Sequence, residues 1–253
     1  VAFVGLCMAE TNAIGSAEAP SRFVQLKPGA VKPDGWLREQ LRLQAEGLTG
    51  HAEELYRDIG KSDWLTNAGV GKEYSWERGP YYARGLVALA LALGDEKLKA
   101  RARKWVDAVI ASQKVSGDFG PRKNNWWANM IPQWYLRDWA DTTGDERIVP
   151  FLEKYYRYQR EEFKACTFEN EGCWACSRAG DELDAVYWLD ERTGNPEWLE
   201  FAKVLCGMAA DWTTYYHDGG DPGRCAKNSG GYRCHIVNFM QGLRYPALKW
   251  RMS

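Results

Sequence analysis

No stretch of 18 consecutive apolar residues occurs in this chain, so the sequence offers no helix that would span a membrane. It has no surplus of charge either: 33 Lys and Arg stand against 34 Asp and Glu, a net of −1. That balance provides no basic surface for nucleic acid. Alternating apolar and polar residues, the mark of a half-buried strand, are scarce. There is no Ser/His/Asp order, no phosphate loop and no dinucleotide fingerprint, and Asp221-Pro222-Gly223 is only a turn. What remains is 253 residues, 45% of them hydrophobic, enough for one domain with a sizeable core.

Two residue types are abundant, with 13 Trp and 13 Tyr. An aromatic-lined cleft would use some of these rings, and a large helical array packed with big side chains would use others. The first residue is Val1, and Val1-Ala2-Phe3-Val4-Gly5-Leu6-Cys7-Met8-Ala9 is apolar, followed by small and polar residues to Ala19. This pattern resembles the apolar and cleavage regions of a signal peptide, so residues 1–19 are expected to be its remnant and the mature chain exported, secreted or periplasmic. Cys166, Cys173, Cys176, Cys206, Cys225 and Cys234 all fall late in the chain. An even number in an exported protein points to as many as three disulfides, whose pairing among 15 possibilities the spacing leaves open. Cys173-x-x-Cys176 is also half of a zinc pattern, but no second CxxC or nearby His pair completes it, and no metal site is assigned.

The chain reads as helical hairpins. After a Pro- and Gly-rich lead, Asp34 is placed to cap a helix in which Leu37, Leu41, Gln44 and Leu48 recur at helical spacing; Gly47 and Gly50 end it. Residues 51–75 look irregular. From Pro80 onward a motif repeats every 50 residues: Gly94-Asp95, Gly144-Asp145 and Gly194-Asn195, each between two apolar helix patterns. Glycine in the left-handed conformation ends the first helix, and Asp or Asn caps the second. Helices are expected near 80–93 and 96–113, 127–143 and 146–163, 180–193 and 196–216, and from His235. Eight helices exceed a four-helix bundle. The fold expected is all-α, a toroid of inner and outer helices, with an open solenoid as the rival.

Polar groups recur at one phase of this repeat. Trp76-Glu77-Arg78-Gly79-Pro80-Tyr81-Tyr82 opens one inner helix, Asn124-Asn125-Trp126-Trp127 precedes the next, Arg178-Ala179-Gly180-Asp181-Glu182 begins a third, and His235-Ile236-Val237-Asn238 the last. Equivalent positions in a toroid face one central cavity. Aromatic rings cover the C–H faces of a sugar and charged groups bond its hydroxyls, so these clusters together read as a sugar site. Taken singly, each has a structural explanation. Glu77 and Arg78 could form an ion pair, Asp181 and Glu182 could serve the helix dipole, and Trp126 and Trp127 could be one core ring and one cover ring. His51 and His217 read as surface residues. Glu77, Asp181 and Glu182 are the acids available to a glycosidase, whose stereochemical course depends on a separation that sequence does not give.

Gly35-Trp36-Leu37, Gly47-Leu48-Thr49-Gly50-His51, Trp76-Glu77-Arg78-Gly79-Pro80-Tyr81, Trp105 to Gln113, Phe119-Gly120-Pro121, Thr143-Gly144-Asp145 and His235-Ile236-Val237-Asn238 with Gly242-Leu243 together resemble glycoside hydrolase family 127. This is the β-L-arabinofuranosidase-like group. The resemblance runs from about residue 24 to the C-terminus. It implies an (α/α)6 barrel that hydrolyses terminal β-L-arabinofuranosides or related plant sugars. It further implies a cysteine thiolate nucleophile on a zinc ion with Cys and Glu ligands, and a glutamate acid/base, in the C-terminal part of the barrel. About eight of the twelve helices are legible, so residues 20–253 are expected to be the N-terminal part of that barrel. The catalytic groups would lie beyond Ser253, and no cofactor is assigned within the chain. The present cysteines do not match the nucleophile region.

What the resemblance carries over is sugar contact, to Gln44 and His235 by position. Two further sugar-binding histidines would fall near Met130 and Gly180, where this chain has none, which weakens the expectation of arabinofuranoside specificity. With the residues of the repeat, the expected binding set is Gln44, Glu77, Arg78, Trp126, Trp127, Asp181, His235 and Asn238. The rival functions are a non-catalytic carbohydrate-binding or scaffold protein, or a polysaccharide lyase on the same fold using Tyr232, Arg233 and His235.

Overall fold

A computed structural model describes residues 25–66, 74–168, 173–218 and 235–252. The described residues form helices and turns, without a strand. Three long hairpins follow one another: α5 (Arg78–Leu93) with α6 (Glu96–Ala111), α7 (Trp126–Thr143) with α8 (Ile148–Glu162), and α9 (Cys173–Thr193) with α10 (Glu197–Met208). Ahead of them come α1 (Gly35–Glu46), α2 (Leu48–Leu55), α3 (Arg57–Gly60) and α4 (Asp63–Thr66). After them come α11 (Trp212–Asp218), α12 (Ile236–Gly242) and α13 (Tyr245–Trp250). The inner row runs α5, α7, α9, α12, each packed on the next, and α6, α8 and α10 lie outside it. This is an arc of an all-α toroid.

The turns take the form expected. Gly94, Gly144 and Gly194 have φ of 69°, 72° and 60°. Asp95 accepts a hydrogen bond from Leu98 N at 2.9 Å, a side-chain cap. Asp145 and Asn195 accept instead from the amides two residues on, at 3.2 and 3.0 Å. A Cβ at Gly144 would meet nothing within 4 Å, so only backbone conformation opposes a side chain there. Gly144→Ala is therefore expected to cost about 1 kcal/mol, read as a lower urea midpoint with unchanged m value.

Packing accounts for most of the indoles. Trp64, Trp105, Trp126, Trp127, Trp134, Trp139, Trp198 and Trp212 are buried, whereas Trp36 and Trp250 are exposed. Helix α7 is the centre of this core, with 14 of its 18 residues buried. It carries Pro132 in its interior. A proline there supplies no N–H to the carbonyl one turn before.

Several boundaries differ from the sequence reading. The described part of residues 51–75 contains the end of α2 with α3 and α4, helices too short for an apolar period to show. Asp34 precedes α1 but makes no side-chain cap, and α1 buries no residue. The expected 196–216 helix breaks at Ala209 to Asp211. There the Ala210 amide donates to Cys176 O (3.0 Å) and Trp212 Nε1 donates to Ser177 O (2.7 Å), docking the chain on the start of α9. Helix α9 begins at Cys173, well before Gly180, which is an interior position with Tyr245 in ordinary contact beside it.

The expectation of as many as three disulfides is corrected at its upper limit. Cys166 and Cys206 carry free thiols. Three bridges need all six cysteines, so that set cannot form. Cys166 lies just past α8 and Cys206 lies on α10 against Tyr245, and burial pushes both thiols above their ordinary pKa. Cys176 is fully buried. The Cys173 side chain, Cys225 and Cys234 lie outside the described residues, as do residues 1–19, Tyr232 and Arg233.

Candidate functional site

The inward faces of the inner row are polar at helical spacing. On α5 and the residue before it they are Glu77, Tyr81 and Arg84. On α9 they are Arg178 and Asp181, and on α12 Asn238 and Gln241. Steps of three or four residues keep each set on one face.

Arg178 is the hub of the upper tier. Its side chain is only 3% exposed. Nε donates to Asn238 Oδ1 at 2.7 Å, and Nη1 reaches Glu77 Oε2 at 3.4 Å. Its guanidinium lies 4.1 Å from the Trp127 ring centroid and 5.0 Å from that of Trp174. Trp127 Nε1 also donates to Glu77 Oε2. Two segments distant in sequence, α7 and α9, thus fix one carboxylate that remains 31% exposed. Trp174 meets the His235 ring edge-to-face at 5.2 Å, which joins His235 to the same stack.

One turn further along α9, Asp181 forms a second tier. It accepts from Gln241 Nε2 at 3.0 Å and pairs with Arg244 Nη2 at 2.6 Å. Burial pushes its carboxyl up to about 7 against the pull of Arg244, Arg84 and Arg178. Trp134 closes this tier, with the Arg84 guanidinium 3.7 Å over its ring and Nε1 donating to Asp181 O at 3.2 Å. Tyr81 stands between the tiers, 6.1 Å from Trp127, and burial raises its hydroxyl pKa.

The structure therefore brings together Glu77, Trp127, Asp181, His235 and Asn238. It does not gather the rest of the expected set. Arg78 turns outward to Asp58, so the cation on Glu77 is Arg178 and not its chain neighbour. Trp126 packs outward on Tyr158 and Phe163. Gln44 is exposed on α1, and no hydrogen bond or ion pair joins it to this cluster. Trp127 is fully buried beneath Arg178, so its indole N–H, not its face, serves the site. Glu182 points away from Asp181 into the packing between the rows, where it accepts from Gln133 and Gln159, each at 2.9 Å. Asp181 and Arg178 lie well inside α9, which removes the helix-dipole explanation for the acid. The members missed from sequence are Trp174, Gln241, Arg244, Arg84 and the central role of Arg178. The three-residue steps 178–181 and 238–241 were their only signal.

The family model for the catalytic domain of β-L-arabinofuranosidase, GH127, matches residues 71–221. The chain belongs to glycoside hydrolase family 127. No curated protein and no solved structure matches it. The GH127 match includes Glu77, Trp127, Arg178 and Asp181, the core of the two tiers, and stops before Asn238. The zinc implied by the resemblance needs several Cys and Glu donors in one place. Among the described residues no three His, Cys, Asp or Glu side chains gather in that way. The described residues therefore do not fit zinc. The groups of this cluster have the hydrogen-bonding chemistry that a polyol would need. Glu77, the exposed member, accepts hydrogen bonds from hydroxyls, and the buried Arg178 and Asn238 hold it in place.

Proposed function

We propose that this chain forms the sugar-binding part of a glycoside hydrolase site for terminal β-L-arabinofuranosides or related plant-derived sugars. The observation that carries this reading is the Glu77–Arg178–Asn238 network. A partly exposed carboxylate, a flat guanidinium and an amide are held rigid by Trp127 and Trp174 at the inner rim. Rigid, preorganised donors and acceptors are what hydroxyl recognition requires. On this reading the nucleophile and its zinc ligands lie outside the described residues, and these residues bind without completing the chemistry. The apolar start of the sequence supports an exported location.

Two measurements on the chain test the proposal. A β-L-arabinofuranoside is expected to quench tryptophan fluorescence saturably, and Glu77→Gln to weaken that binding about tenfold. An aryl β-L-arabinofuranoside with zinc and a reductant present is expected to remain intact. Absence of binding would defeat the sugar-site reading, and clear turnover would defeat the division between binding and chemistry.

A further inference from the structure

We propose that the cavity beside Glu77 is a subsite for a carboxylated sugar, with Arg57 as the group that recognises the acid. This rests on the sugar-binding reading above and names the chemistry adjacent to it. A cavity of about 510 Å3 is lined by Arg57, Asp58, Tyr74, Trp76, Glu77 and Arg78. Small-molecule sites run from roughly 300 to 1,000 Å3, so this space suits a ligand larger than one sugar ring. Because Glu77 belongs to both the cavity and the inner cluster, a chain bound at one would continue into the other.

The cavity wall is held in place. Trp64 Nε1 donates to the carbonyls of Ser75 and Trp76 at 3.0 and 2.9 Å. Asn125 Nδ2 donates to Ser75 O at 3.2 Å. Ser62 Oγ and the Asp63 amide donate to Tyr74 O at 3.1 and 3.0 Å. Four donors from two other segments, making five hydrogen bonds, thus fix the strip that presents Trp76.

The charges then decide the ligand. Asp58 is engaged by Arg78, and Glu77 by Arg178 and Trp127. Arg57 is exposed at the cavity, and no ion pair involves it among the described residues. Among the described residues, the cavity thus holds one guanidinium, Arg57, that no carboxylate engages, beside a half-buried indole. A guanidinium matches a carboxylate with two parallel hydrogen bonds, and an indole face covers the C–H side of a sugar ring. A uronate satisfies both, whereas a neutral sugar uses only the ring.

Titration calorimetry at fixed low salt with trigalacturonate and its fully methyl-esterified form tests this, because esterification removes the charge and keeps the rings. The acid is expected to bind about tenfold tighter than the ester. Arg57→Gln should erase that preference while leaving ester affinity unchanged, which also shows that the variant is folded. Arg57→Lys should keep part of the preference. Equal affinity of wild type for acid and ester overturns the proposal, as does a preference that survives Arg57→Gln. If a neutral β-L-arabinofuranoside still binds in either case, only the acidic subsite is lost. If no sugar binds at all, the sugar-site reading falls with it.

Discussion

Glu182→Gln is expected to stabilise the protein by about 3 kcal/mol at pH 8 and to leave its stability at pH 4 nearly unchanged. Glu182 is completely buried, its neighbours Gln133 and Gln159 are neutral, and no cation pairs with it among the described residues. Burial pushes its carboxyl from 4.5 up to about 7. In the unfolded chain the group ionises near its ordinary value. Below pH 4.5 both states hold the proton and folding loses nothing. As pH rises toward 7 the unfolded state releases its proton first, and stability falls until the folded state ionises too. Glutamine removes this cost. Its new N–H2 has an acceptor at hand, because Gln159 Oε1 is buried without a hydrogen bond and an amide flip would present it. Chemical denaturation of both proteins at pH 4, 6 and 8 reads the effect. A residual slope belongs to Asp181, which titrates near the same pH. Parallel pH profiles in the two proteins would show that Glu182 is not the buried acid responsible.

Arg178→Met is expected to cost about 3 kcal/mol and to reduce sugar affinity by more than tenfold. Methionine fills the slot between Trp127 and Trp174 but leaves Glu77 and Asn238 without their shared donor. Partial exposure of Glu77 keeps the loss at the lower end of the range for a broken buried pair. Arg178→Lys should fail as well, since an ammonium cannot lie flat between two indoles while reaching both partners. Glu77→Gln combined with Arg178→Met should recover part of the stability and none of the binding. Thermal unfolding and fluorescence titration give both readouts. Sugar affinity retained in Arg178→Met would remove Arg178 from the site.

How far sequence could anticipate this depends on the range of the interaction. The hairpin turns were legible because glycine with positive φ is a local demand, met three times at one interval. The inner-row assignment followed from that interval. The Glu77–Arg178 pair joins residues 101 positions apart. A chain neighbour, Arg78, offered a nearer and mistaken partner. Asp181 and Glu182 are adjacent and identical in charge, yet a helix turns about 100° per residue, so one faces the cluster and the other the dry layer behind it. Gly180 read as a helix boundary because glycine often is one. In the structure it is an interior position of α9 beside Tyr245, 65 residues downstream. The tryptophan count overstated the cleft for a similar reason, since composition cannot distinguish a ring that lines a cavity from one that fills a core.

Helix α7 has a further consequence. With 14 of 18 residues enclosed, it belongs as much to the hairpin before it as to the one after. Cutting the chain anywhere within it would leave two pieces, each missing one wall of its own interior. The hairpin tips at Gly144 and Gly194 have open space around them. New segments could be added there during evolution without disturbing the centre. The protein is thus divisible at its edges and indivisible along its middle helix, and variation in the family has room at the turns while α7 stays constrained by everything that touches it.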